Sequence, residues 1–145
     1  MKFATPLIAA LTFATTALAV PGKASIGSPE MWADVAAGTN VTIRVDVEPI
    51  PQNINEVGIA IGLQSCEQGK CFQTDDMLGT VVYQGKFNPV YNGSTPSLPP
   101  HENINVYIPA DFPKGNAILG LANLALVGAS SAPLYNTYNI SVNVV

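Results

Sequence analysis

The sequence predicts an all-β sandwich, and three observations predict it. Apolar side chains recur at every second position in several separate stretches, the period of a half-buried strand. Twelve glycines and twelve prolines punctuate the 145 residues, as expected of short strands joined by turns. Only one segment carries apolar residues densely enough to satisfy a helical period as well.

The elements follow in chain order. Residues 1–19 read as a secretory signal peptide: Lys2 starts it, "PLIAALTFATTALA" is its apolar stretch, and Ala17-Leu18-Ala19 is a small-x-small cleavage site. The apolar run is too short to span a bilayer comfortably, and no later stretch stays apolar for ~18 residues, so no membrane insertion is expected. Cleavage leaves Val20–Val145, 126 residues, a length that suits one domain, 20–145. A short first strand is expected near "KASIG". Trp32 follows it, ahead of the first long strand, and is expected to plug the core.

"NVTIRVDVE" then places Val41, Ile43, Val45 and Val47 on one face and Thr42, Arg44, Asp46 and Glu48 on the other. Such alternation belongs to an antiparallel sheet with one wet face, and Pro49 and Pro51 stop the strand. "EVGIAIGL" repeats the pattern with Val57, Ile59, Ile61 and Leu63. Its opposite face holds only Gly58, Ala60 and Gly62, so something packs close there. Cys66 and Cys71 in "SCEQGKCF" are the only cysteines, and on an oxidising route they are expected to form a disulfide. Gly69 supplies the positive φ that so tight a connection needs. A redox motif would want two intervening residues and a zinc site four ligands.

"LGTVVYQGKF" is a further strand, and "FNPVYNGSTPSLPP" is a loop by composition. His101, the only histidine, is expected to be solvated at the end of that loop. "ENINVYIP" turns Ile104, Val106 and Ile108 inward and Asn103, Asn105 and Tyr107 outward. After the "ADFPKG" turn, "NAILGLANLALVG" is the ambiguous segment; it shows no polar face at helical spacing and is read as a long buried strand. "LYNTYNISVNVV" closes the chain at a sheet edge, with Tyr138, Ile140, Val142 and Val144 sharing the inward face. The sum is an immunoglobulin/fibronectin-like antiparallel β-sandwich of about seven strands.

Composition narrows the function. Without Lys2, five basic side chains face ten acidic ones, a formal charge of −5, with the acids scattered. A nucleic-acid partner needs a basic patch and is disfavoured. Catalysis finds little material: His101 has no serine elbow to serve, and Asp75-Asp76 suits a polar turn better than a glycosidase pair. A secreted copper oxidase would begin its mature chain with histidine, where Val20 stands. No catalytic residue, no metal site and no cofactor is expected. Three sequons, at Asn40, Asn92 and Asn139, fall at positions expected to be exposed, so N-glycosylation is expected there. A glycan on Asn139 would also blunt the last strand against edge-to-edge pairing.

Three segments in register carry a resemblance: "LGTVVYQG" (Leu78–Gly85), "ENINVYIPADFPKGNA" (Glu102–Ala117) and "VGASSAPLYNTYNISVNV" (Val127–Val144). With the Pro113-Lys114-Gly115 turn between two strands, the chain resembles the necrosis-inducing secreted protein family of fungal effectors. The resemblance covers roughly Val57 to Val144. It implies a secreted, extracellular protein that reaches plant cells, is associated with cell death and suppresses pattern-triggered immunity by binding receptor-associated immune kinases. An exposed apolar patch on the "VGIAIGL" or "LALVG" sheet is the contact expected for such a role. The alternative is a cell-wall polysaccharide-binding module, in which exposed rings such as Tyr107 stack on sugars.

Overall fold

The computed structural model describes residues 22–66 and 69–145; the expected signal peptide, 1–19, lies outside them. The described chain is built from eight strands with no α-helix: β1 (Ala24–Ser28), β2 (Asp34–Val35), β3 (Asn40–Val47), β4 (Ile54–Ser65), β5 (Thr80–Gly85), β6 (His101–Tyr107), β7 (Gly115–Val127) and β8 (Ala132–Val144). They form a three-stranded sheet, β1-β3-β6, and a five-stranded sheet, β2-β8-β7-β4-β5.

The period-two residues meet between the two sheets. Ile43 and Val45 of β3, with Ile104 and Val106 of β6, pack in one core with Ile59, Ile61 and Leu63 of β4, Leu119 and Leu121 of β7, and Ile140, Val142 and Val144 of β8. Burying a side chain of this size stabilises by about 1.5–3 kcal/mol, so a one-residue slip of any central strand would be prohibitive. The ambiguous "NAILGLANLALVG" segment is strand β7. It pairs with β4 on one side and with β8 on the other, the latter through thirteen consecutive partners from Gly115↔Val144 to Val127↔Ala132 without a bulge. A strand at the centre of a sheet, covered on both faces for part of its length, needs no polar face, which explains its uniform composition.

Several expectations need correction. The strands number eight rather than about seven, and the sheets are not wholly antiparallel. β2 pairs with β8 in parallel, Asp34↔Asn143 and Val35↔Val144, so the C-terminal end of β8 is flanked rather than left at the edge. Two residues are too few to show a period. Trp32 does not plug the core. It is 59% exposed, in a tight turn at φ +67°, where its N–H donates to the Ser141 carbonyl at 2.7 Å and the ring is left in solvent.

Tyr138 keeps its place in the alternation but is also exposed. Val57 is exposed beside a β-bulge that shifts the register between Glu56 and Gly58. His101 is buried, not solvated. It opens β6 and exchanges backbone hydrogen bonds with Val90, N–H to carbonyl at 3.0 and 3.1 Å, so the 88–100 segment folds back over it.

Candidate functional site

The outward side of the five-stranded sheet divides into a covered half and an open half. Its rungs are set by register: Gly62, Gly120 and Asn139 lie side by side, then Ala60, Ala122 and Thr137, then Gly58, Leu124 and Tyr135. Over the first rung lies the segment Thr74–Leu78. A Cβ on Gly120 would come within 2.8 Å of the Thr74 methyl, and one on Gly62 within 2.6 Å of the Leu78 Cγ. This is the close packing expected from the small face of "EVGIAIGL".

The cap is fastened by polar contacts. Asn139 Nδ2 donates to Thr74 Oγ1 at 2.9 Å, and Gln64 Nε2 donates to the Met77 carbonyl at 3.0 Å. Gln64 Oε1 accepts from the Phe72 N–H at 2.6 Å, and the Thr137 hydroxyl donates to the Asp75 carboxylate. Asp75 and Asp76 both sit in this turn, as their composition suggested.

Beyond the cap the sheet is bare. Its floor is Gly58, Ala60 and Ala122, and on its last rung stand Leu124, 39% exposed, and Tyr135, 63% exposed. Val57, at the neighbouring bulge, adds a third exposed apolar side chain. A shallow face of small residues with an aliphatic and an aromatic projection can bury area against a partner; it offers no acid, base or nucleophile. Trp32 and Tyr135 are exposed rings whose exposure depends on tertiary placement. A strand's alternation reports which side a residue faces, not what covers that side.

The remaining candidates are dispersed. Cys66 and Cys71 are joined in a disulfide at the end of β4, and Gly69 between them has φ +75°. Asn40, Asn92 and Asn139 are all exposed. Asn40 opens β3, Asn92 lies in the 88–100 segment, and Asn139 holds the cap. Among the described residues no three His, Cys, Asp or Glu side chains are grouped to hold a metal ion, and there is no helix long and apolar enough to cross a membrane.

One titratable group is out of the ordinary. Glu56, at the β4 bulge, is half-buried with both carboxyl oxygens shut off from solvent. Burial raises its pKa, and the neighbouring Asn123 carboxamide pulls the other way. No hydrogen bond of normal geometry joins the two; the Glu56 oxygens and both polar atoms of Asn123 stand without partners. Nothing in the sequence marked Asn123, an amide midway along an otherwise apolar stretch of β7.

The Nis1 family model matches residues 19–143. The chain belongs to the Nis1 family. A curated relative, Necrosis-inducing secreted protein 1 of Colletotrichum orbiculare, is 26% identical over 144 residues, covering 99% of this chain and 81% of that protein. The resemblance carried by the Leu78–Gly85, Glu102–Ala117 and Val127–Val144 segments is therefore to the right family. Solved structures are more distant. A superoxide reductase (neelaredoxin) from Ignicoccus hospitalis is 17% identical, covers 83% of this chain and 80% of its own, and has a TM-score of 0.44. A chain from a structure of T cell activation by the bacterial superantigen toxic shock syndrome toxin-1 is 15% identical, covers 86% and 99%, and has a TM-score of 0.45. Likenesses at that level carry nothing over to this Nis1-family chain.

Proposed function

We propose that this Nis1-family chain is a secreted fungal effector that works by protein–protein binding rather than catalysis, suppressing pattern-triggered immunity or inducing cell death in plants. Its partners in this reading are receptor-associated immune kinases, as the family resemblance implies, met at the plant cell after secretion. The name of the Colletotrichum orbiculare relative supports both export and necrosis. Glycans at Asn40, Asn92 and Asn139 and removal of residues 1–19 belong to the same reading. So does an immunoglobulin-like assignment of the sandwich. The order β1-β3-β6 opposite β8-β7-β4-β5 follows A-B-E opposite G-F-C-C′, with β2 beside β8 as an added edge.

The observation that carries the proposal is the bare face around Leu124 and Tyr135. Apolar side chains that a monomer leaves projecting from a rigid sheet are the usual material of an interface core. The test is a binding assay between the mature domain and the cytoplasmic domains of plant receptor-associated kinases. Binding at micromolar concentration is expected, and Leu124→Asp should weaken it at least ~10-fold, the loss typical of an anchor residue. Because Leu124 is already partly in solvent, the melting temperature should hardly move. A folded domain that binds none of these kinases would sink the proposal.

A further inference from the structure

We propose that the Glu30–Ala33 turn is a second anchor for the partner protein, with the Trp32 ring entering an apolar slot bordered by lysine or arginine side chains. The inference rests on the reading of the chain as a kinase-binding effector and adds to it a contact outside the bare patch.

The backbone of the turn is the first observation. The Ala33 N–H donates to the Glu30 carbonyl at 3.1 Å, which puts Met31 and Trp32 at the two central places of a β-turn. Of these two, only Trp32 has a positive φ, +67°. That is the pattern of a type II turn, whose third residue is ordinarily glycine. In the left-handed region a β-carbon crowds the following carbonyl oxygen, and a bulky residue there persists only where its surroundings force it. The core gains nothing in return, since Trp32 is 59% and Met31 60% exposed. A large ring in a glycine's place, turned to solvent, is unfavourable for the free chain and suits contact with another molecule.

The surroundings that force it are the free edge of β8. The Trp32 N–H donates to the Ser141 carbonyl at 2.7 Å, the Asn143 N–H to the Ala33 carbonyl at 3.0 Å, and the Val145 N–H to the Val35 carbonyl at 3.0 Å. The turn is thus riveted to the five-stranded sheet. A ring presented from so fixed a backbone gives up little freedom on binding, and tryptophan is among the residues enriched at interface hot spots.

Charge defines what the tip fits. Glu30 and Asp34 flank the two apolar residues, and both are exposed. No lysine or arginine occurs between Lys23 and Arg44, and β8 carries no charged residue. Asp34 accepts from the Asn143 carboxamide at 2.8 Å, a neutral partner, and among the described residues the one ion pair is Arg44 with Asp46. Two uncompensated negative charges therefore frame the ring. They match a cationic rim on a protein and are repelled by an anionic lipid surface.

The tip and the bare patch lie within reach of one partner. Asn143 and Tyr135 alternate onto the same outward side of β8, and the Asp34 carboxylate bonds to the Asn143 side chain on that side. From Tyr135 to Ser141 is roughly 20 Å along the strand. A standard interface of about 800 Å² per partner is roughly 30 Å across, enough to cover both.

The experiment measures binding of the mature chain to the cytoplasmic domain of a plant receptor-associated kinase, with thermal unfolding of each form. Trp32→Gly should weaken binding at least ~10-fold and raise the melting temperature, because glycine accepts the left-handed place without strain. Glu30→Lys should slow association at low salt, with the difference fading at high salt. Binding that ignores Trp32→Gly while Leu124→Asp weakens it overturns this inference and leaves the effector reading standing. Loss of binding together with a lowered melting temperature overturns it as well, since the ring would then be holding the fold. A wild-type chain that binds no such kinase removes the effector reading and this inference with it. Sedimentation with phosphatidylcholine vesicles by wild type but not by Trp32→Gly would assign the tip to a lipid surface and overturn the proposal.

Discussion

Glu56 carries the clearest consequence at the scale of one residue. An acid whose pKa is raised in the folded state holds its proton there after the unfolded chain has released it. Between the unfolded pKa, about 4.3, and the raised folded value, the folded state therefore binds more protons, and stability falls as pH rises. Above the folded value the penalty is constant. Glu56→Gln removes it: thermal unfolding should show a higher melting temperature than wild type at pH 7 and little difference at pH 3.5. A stabilisation equal at both pH values would mean that the carboxyl gains nothing from its proton. None of this was legible in the sequence, where Glu56 opens a strand as an ordinary polar residue. Its burial arises from the bulge that shifts register before Gly58. The inward residues Ile43, Val45, Ile104 and Val106 could be read directly, because alternation is a property of neighbouring positions. His101 and Trp32 could not, since a folded-back segment covers one and a left-handed turn presents the other.

At the scale of elements, the disulfide and the cap form one device. Cys66 extends β4 by donating its N–H to the Asn116 carbonyl at 3.0 Å, and Cys71 begins the segment that carries Phe72 to Gln64 and Thr74 to Asn139. The bridge thus ties the cap to the end of the strand it covers. The Cys66→Ser/Cys71→Ser variant should lose about 2 kcal/mol in a denaturant titration, from the short loop that the bridge closes. Amide exchange should quicken first between Gln73 and Met77. Uniform acceleration across the whole sheet, with the cap no faster than β7, would show that the bridge holds the global fold and not this segment. The small outer face of Gly58, Ala60 and Gly62 signalled that something lay against it. It did not signal what, because the occupant is a polar turn that reaches across from β5's approach to β8. Nor did it show that only half of the face would be covered, and that half-coverage is what creates the bare patch beside Leu124. β2 escaped for a simpler reason: its pairing rests on two residues whose partners lie 109 positions further on.

At the scale of the whole molecule, two sheets packed on one core place two unlike surfaces back to back. The bare patch of the five-stranded sheet is apolar and uncharged; the outer side of β3 and β6 is polar, with its one ion pair closed on itself. Stacked sheets lie about 10 Å apart, and substitutions at such a separation with no shared contacts act almost independently. Substitutions on the two outer faces should therefore act separately. Leu124→Asp is expected to weaken kinase binding at least ~10-fold, while Asn105→Ala, at an exposed side chain on the outer side of β6, should leave that binding unchanged. The double variant should bind the kinase domain as Leu124→Asp does alone, to within about 0.5 kcal/mol. Kinase binding weakened by Asn105→Ala would instead mean that the sandwich transmits strain from face to face. The core packing of Ile43, Leu121 and Val142, all but inaccessible to solvent, argues for a rigid divider, since close-packed interiors with fixed rotamers leave the two skins free to evolve apart.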